Sequence, residues 1–128
     1  MKSILLATAN IDRMISLSDF LQKRMYTVIP AGESDLARSF LRQGIPVDAV
    51  IADNGMKGFW GILGAARLLG PVPPPIIVMS ERVSVTDYLD ALNMGAFDFV
   101  FLPVPAPAFL RVVDAAMEHS SRSAALRS

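Results

Sequence analysis

The residues of this chain that could do chemistry mostly follow short apolar runs. Four polar side chains stand in such places: Thr8, Asn10, Asp53 and Ser80. Asp53 is the one carboxylate among them. An Asp that follows a strand either makes an Asx turn or caps the next helix as a structural residue, or it acts as a functional carboxylate at the edge of a sheet. The sequence leaves these interpretations open.

Nucleophilic or general acid–base catalysis is poorly supported by the residue types. The chain of 128 residues contains no cysteine and one histidine, His119. Hydrolytic enzymes need a nucleophile beside an orienting base, or two carboxylates that share a site. His119 lies in a polar stretch without such a partner. The sequence therefore predicts that this protein is not an enzyme.

The elements that position these residues alternate between strand and helix patterns. Five short apolar runs are typical of buried parallel strands: Ile4–Ala7, Tyr26–Ile29, Val47–Ala52, Ile76–Met79 and Phe97–Leu102. Pro30 is expected to end the second of them. Such alternation predicts a doubly wound α/β domain, in which ligands collect beyond the carboxyl ends of the strands.

Five helical patterns lie after these runs. The first is expected to begin at Asp12 with Asn10 as its cap, and the second to have Ser34 as its cap and to stop at Gly44. The third is predicted over Ile62–Leu69, before Gly70, and the fourth from Ser84 to Gly95. The fifth is expected to have Pro107 in its first turn. Residues 120–128 lack acidic side chains and are predicted to be a short tail, so the folded domain is expected to span residues 1–119.

Composition narrows the classes of partner. Twelve basic and twelve acidic residues cancel, and the pI is about 6.6, which disfavours nucleic acid as a partner. The longest apolar candidate for a membrane span, Phe99–Leu110, is interrupted by three prolines. The apolar run near the first residue of the sequence is too short for the hydrophobic region of a signal peptide. We therefore expect no membrane span and a cytoplasmic location.

Several motifs, in order, resemble the receiver domain of bacterial two-component response regulators. Val47–Asp53 is similar to the family's third strand with its phospho-accepting aspartate, here Asp53, and Met56, Gly58 and Gly61 match the loop that follows. Pro75–Ser80 is similar to the fourth strand, which ends in a switch hydroxyl. The resemblance covers Lys2 to about Glu118 and implies a flavodoxin-like sheet of order 2-1-3-4-5 with five helices.

Two more motifs lie near the end of the domain. Asn93–Phe99 is similar to the family's Gly-Ala segment, which places Phe99 at the switch aromatic position. Leu102-Pro103 matches the family's Lys-Pro pair, where a cis peptide bond is expected.

The sequence departs from the family at the residues that neutralise phosphoryl charge. The acidic pair that holds Mg²⁺ falls on Thr8-Ala9, or on Ala9-Asn10 in a shifted register, and the family's lysine is replaced by Leu102. The ligands left for Mg²⁺ would be Asp53, the carbonyl of Gly55 and a neutral oxygen of Thr8 or Asn10. This set implies a weak Mg²⁺ site or none. No cofactor is expected to be required.

Two cations flank the implied pocket. Lys57 and Arg82 could replace the lost positive charge, although loop cations are usually solvated.

The resemblance implies an atypical receiver domain that works as a signalling and docking module. Its partners would be a histidine kinase or a downstream signalling protein. The implied docking surface, which in the family also forms dimers, lies on the fourth helix, fifth strand and fifth helix, around Tyr88, Phe99, Val104 and Phe109.

Two other functions stay open. One is a conventional phosphorelay receiver that accepts phosphate on Asp53. The other, which is disfavoured, is a flavodoxin-like protein that binds a small molecule: the turn Thr8–Asp12 has no glycine to let a backbone approach a phosphate.

Overall fold

A parallel sheet covered by helices on both faces forms the fold. A computed structural model describes residues 1–127, with side chains as far as residue 123. The elements are β1 Ser3–Ala7, α1 Ile11–Gln22, β2 Thr27–Ala31, α2 Ser34–Arg42, β3 Ala49–Asp53, α3 Phe59–Arg67, β4 Ile76–Ser80, α4 Val85–Asn93, β5 Asp98–Phe101 and α5 Ala106–Arg127.

The five strands lie in the order β2-β1-β3-β4-β5, and every neighbouring pair is parallel. The fold class and strand order that the sequence predicts are therefore confirmed. β1 and β3 lie side by side at the point where the strand order reverses. The carboxyl ends of β1, β3 and β4 consequently meet at one edge of the sheet, where doubly wound folds place their ligands.

Each face of the sheet has its own apolar core because successive strand residues point to opposite sides. Leu5, Val50 and Val78 pack with α2, α3 and α4 on one face. Ile4, Ile51 and Met79 pack with α1 and α5 on the other. β3 and β4 are buried along their whole length, which holds Asp53 and Ser80 in fixed places at their ends.

The second strand does not end at Pro30. β2 continues to Ala31, and Pro30 pairs in register with Leu6. β2 is an edge strand, so no outer neighbour needs the N–H that proline lacks.

Ser34 is the first residue of α2, so its predicted role as the cap is wrong. The cap position belongs to Glu33, whose side chain makes no capping hydrogen bond. The Ser34 hydroxyl instead donates to the carbonyl of Lys57 and ties α2 to the loop after β3. The third helix also begins earlier than its spacing predicts, at Phe59 after Gly58, whose φ of 80° suits glycine.

The predicted tail is helical as far as the structure describes it. α5 continues to Arg127, and Ser128 lies outside the described residues. Glu118 and Arg122 form an i,i+4 ion pair at 4.0 Å, and Lys2 donates a hydrogen bond to Ser121. Alanine and arginine are good helix formers, so the absence of acidic residues does not end the helix. A domain boundary near residue 119 remains a prediction.

No helix within residues 1–127 is both long enough and apolar enough to cross a membrane.

Candidate functional site

The site lies where β1, β3 and β4 end. Thr8, Asp53 and Ser80 come together there, each with at most 5% of its surface exposed. Above them a cavity of about 270 Å³ opens between the loops, lined in part by Asn10, Asp53, Gly55, Glu81 and Arg82. The structure thus brings together most of the polar residues that the sequence analysis selects.

Both carboxylate oxygens of Asp53 accept hydrogen bonds. The Thr8 hydroxyl donates to Oδ2 at 2.8 Å, and Arg13 Nη1 donates to the same oxygen at 2.6 Å. The Gly55 N–H donates to Oδ1 at 3.0 Å, which closes an Asx turn. Asp53 therefore makes the structural turn that its position allows, and it also binds side chains from β1 and α1.

Arg13 is the residue that the sequence analysis misses. Asn10 caps α1 by accepting a hydrogen bond from the Arg13 N–H at 2.9 Å, so Arg13 lies in the first helical turn. Its side chain extends back over the strand ends, where Nη1 binds Asp53 and Nη2 binds Glu81. The one signal in the sequence is that a cation stands three residues after a capping residue at the end of a strand.

The guanidinium of Arg13 carries a fixed charge. Burial alone lowers its pKa, but hydrogen bonds to Glu81 and Asp53 outweigh that effect and raise the pKa above its ordinary value. Arg13 thus stays protonated wherever the protein is folded. One guanidinium lies between two carboxylates, with 17% of its own side chain exposed.

Lys57 and Arg82 do not bind Asp53. Lys57 lines a different cavity, beside the start of α2, and its carbonyl accepts the Ser34 hydroxyl. Arg82 lines the Asp53 cavity, and its backbone N–H and carbonyl both bond the Ser80 hydroxyl. The cation that pairs with Asp53 comes from α1.

Ser80 bonds the loop that follows it. Its hydroxyl is fully buried, donates to the Arg82 carbonyl at 2.9 Å and accepts the Arg82 N–H at 3.1 Å. This is the structural role that a strand-end hydroxyl commonly plays. The arrangement holds Glu81 at the mouth of the site.

Leu102 packs away from Asp53. The Leu102-Pro103 peptide bond is cis, as expected. The Leu102 side chain joins the core on the α1 and α5 side, together with Val104. Neither Leu102 nor Pro103 lines the Asp53 cavity.

Two of the four residues predicted for the docking surface are buried. Phe109 is 3% exposed and packs against Phe20, with ring centroids 6.0 Å apart, so its placement on the surface is wrong. Phe99 is 7% exposed and meets Tyr88 edge-on at 5.7 Å. Tyr88 is exposed and Val104 is half-buried. The helical period alone does not reveal that Phe109 points toward α1.

Within residues 1–127, no group of three or more His, Asp or Glu side chains is placed to hold a metal ion. Asp53 and Glu81, the two carboxylates nearest the cavity, are bridged by Arg13.

The sequence over residues 4–114 matches the family model of the response regulator receiver domain. The chain belongs to this family. Receiver domains are signalling modules that interact with histidine kinases and other proteins.

Among curated proteins, this receiver domain is 31% identical over 112 residues to the response regulator GtcR of Aneurinibacillus migulanus, covering 87% of this chain and 46% of that one. It is 36% identical over 81 residues to the transcriptional regulatory protein KdpE of Mycobacterium tuberculosis, and the match covers 63% of this chain and 36% of KdpE. The chain thus spans less than half the length of these relatives.

Solved structures of other receiver domains share the fold. A response regulator receiver domain protein from Clostridium thermocellum superposes with a TM-score of 0.84 at 20% identity, covering 94% of this chain and 98% of that one. The BeF3-activated N-terminal receiver domain of Klebsiella pneumoniae RstA superposes with a TM-score of 0.80 at 19% identity, covering 91% of this chain and 98% of that one.

Proposed function

We propose that this receiver domain is an atypical member that signals by docking proteins, with Asp53 held by Arg13 in place of a metal ion. The observation that carries the proposal is the 2.6 Å contact between Arg13 Nη1 and Asp53 Oδ2. In the family, Mg²⁺ and a lysine neutralise the charge at this aspartate. Here a guanidinium from the same chain already does so.

The residues around Asp53 do not fit Mg²⁺. Magnesium needs near-octahedral oxygen ligands and usually binds one or two carboxylates. The Thr8 hydroxyl donates a hydrogen bond to Asp53 Oδ2, and Arg13 Nη1 donates one to the same oxygen. A cation at that oxygen would have to displace both donors and would lie against a fixed positive charge. We therefore propose that Mg²⁺ binds weakly or not at all.

The same contacts bear on phosphorylation. Asp53 is 5% exposed and its two oxygens are occupied, so a phosphoryl donor would have to break the ion pair before Asp53 could attack. Phosphoryl transfer depends on charge neutralisation at the transferred oxygens. Arg13 could supply one charge, which keeps the conventional phosphorelay receiver as the competing function.

The docking surface is proposed to be the outer face of α4 with the edge of β5. Val85, Leu89 and Leu92 follow one another at i, i+4 and i+7 and are 70%, 51% and 37% exposed. Tyr88 and Phe101 extend this patch, each 37% exposed. Apolar side chains that line one helix face in this way mark interaction sites. A second copy or another signalling protein is the proposed partner.

An amide NMR titration with Mg²⁺ followed by beryllofluoride tests the proposal, with Asp53→Asn as the matched control. Beryllofluoride mimics the phosphoryl group on an aspartate. We expect no saturable shifts at the amides of residues 53–56 in the natural protein at about 10 mM Mg²⁺. Saturable shifts at Asp53, Ser80 and Phe99 that vanish in Asp53→Asn would instead establish the conventional phosphorelay function.

A further inference from the structure

A cavity lies beside the Asp53 site, between α1 and the start of α5. Its volume is about 680 Å³, within the range of small-molecule pockets. Its apolar lining includes Leu17, Phe20, Leu102, Val104 and Phe109. Two rings and three aliphatic side chains thus give it an apolar interior, and the Leu102 side chain stands where the family has a charged lysine.

One end of this pocket is charged. Arg13 and Glu81 are the ionised residues among those that line it. Arg13 also binds Asp53, so both ends of its guanidinium are already engaged by carboxylates.

The two ions of the pair are unequally open to a ligand. The Glu81 side chain is 63% exposed, whereas that of Arg13 is 17% exposed and has donors directed at both carboxylates. A ligand therefore reaches the carboxylate more easily than the guanidinium. This difference in exposure favours a cationic group at this end of the pocket.

We infer that this pocket binds a small apolar amine, with its hydrocarbon body against Phe20 and Phe109 and its ammonium group on Glu81. The chemical class follows from an apolar interior that ends in an accessible carboxylate. The pocket is separate from the α4 surface and shares Arg13 and Glu81 with the Asp53 site. It would make this receiver domain responsive to a small molecule as well as to proteins.

Three probes with one hydrocarbon body isolate the role of charge: phenylbutylamine, phenylbutanol and phenylbutyrate. Each is titrated into the full chain and followed by amide NMR. We expect the amine to saturate with a dissociation constant of about 1 mM and to shift the amides around Leu17, Glu81 and Phe109. The alcohol is expected to bind about threefold more weakly and the carboxylate about tenfold more weakly.

Variants locate the binding. Glu81→Gln is expected to lower the affinity for the amine to that for the alcohol. Glu118 is an exposed carboxylate on α5 that does not line the pocket, and Glu118→Gln is expected to leave the affinity for the amine unchanged. Ser16→Phe places a ring at the exposed wall on α1 and is expected to weaken all three probes. Because Ser16 and Glu81 are both on the surface, these variants are expected to keep the fold.

The inference is overturned if the carboxylate binds more tightly than the amine, or if no probe saturates at about 10 mM. It is also overturned if the pocket amides shift with protein concentration alone, which would assign the pocket to a second copy of the chain.

Discussion

At the residue scale, Asp53 is held by groups from three parts of the chain. Thr8 at the end of β1, Arg13 in the first turn of α1 and Gly55 in the loop after β3 all donate to it. These contacts satisfy a carboxylate that is almost completely buried, which would otherwise be costly. Arg13 is the strongest of these partners because its hydrogen bond is charge-assisted.

Replacing Arg13 by Ala is expected to lower the free energy of unfolding by about 2 kcal/mol, because Asp53 loses its ionic partner while it stays buried. Urea denaturation measures the change. Arg122→Ala is the control, since that side chain is 71% exposed and its ion pair is long, and it should cost less than about 0.5 kcal/mol. Equal costs for the two variants would contradict the assigned role of Arg13.

Replacing Thr8 by Val is expected to destabilise the fold by about 1 kcal/mol, since it removes one donor to Asp53 at nearly constant volume. Denaturation of Thr8→Val, Asp53→Ala and the double variant gives the coupling energy. Additive effects of the two substitutions would show that the hydroxyl does not support Asp53.

The sequence identifies Asp53, Thr8 and Ser80 because their positions follow from where strands end, which is a local property. It misses the contact of Arg13 because the reach of a long side chain to another strand depends on how α1 packs. It selects Lys57 and Arg82 because they lie close to the site along the chain, and neither side chain binds Asp53.

At the scale of elements, α5 packs along the sheet and is tied to β2 through side chains. Tyr26, just before β2, donates a hydrogen bond to Asp114 Oδ1 at 3.1 Å. Burial raises the pKa of the Tyr26 phenol, and the hydrogen bond to Asp114 and its charge raise it further. The strand and helix periods predict both elements, but they do not predict this contact or the burial of Phe109 between α1 and α5.

The raised pKa of Tyr26 gives a pH dependence of stability. The folded state holds the phenolic proton more tightly than the unfolded state, so the stabilisation is complete below the ordinary tyrosine pKa of about 10. It is lost as pH rises through the higher folded-state value. We expect the free energy of unfolding of the natural protein to fall more steeply above pH ~10 than that of Tyr26→Phe. Parallel pH profiles for the two proteins would refute this.

At the scale of the whole molecule, the chain presents three surfaces: the Asp53 site at the strand ends, the pocket between α1 and α5, and the apolar patch on α4 and β5. Arg13 and Glu81 belong to the first two. Receiver domains interact with other proteins, and the α4 patch is one place where this chain exposes apolar side chains at helical spacing. The sequence predicts the region of this patch but selects two residues that are buried.

Replacing Leu89 by Lys is expected to abolish any self-association or partner binding that uses the α4 patch, because it places a charge in its centre. Sedimentation velocity and pull-down with a partner kinase measure the loss. Leu68→Lys is the matched control, since Leu68 is 85% exposed at the end of α3. If Leu89→Lys behaves like Leu68→Lys, the docking surface lies elsewhere.

We propose that Arg13 takes the place of a metal ion beside Asp53, and binding of Mn²⁺ measures this. A bound Mn²⁺ broadens nearby amide signals, so the amides of residues 53–56 report its affinity in the natural protein and in Arg13→Ala. We expect selective broadening in Arg13→Ala at a Mn²⁺ concentration about tenfold lower than in the natural protein. Equal broadening in both proteins would contradict it.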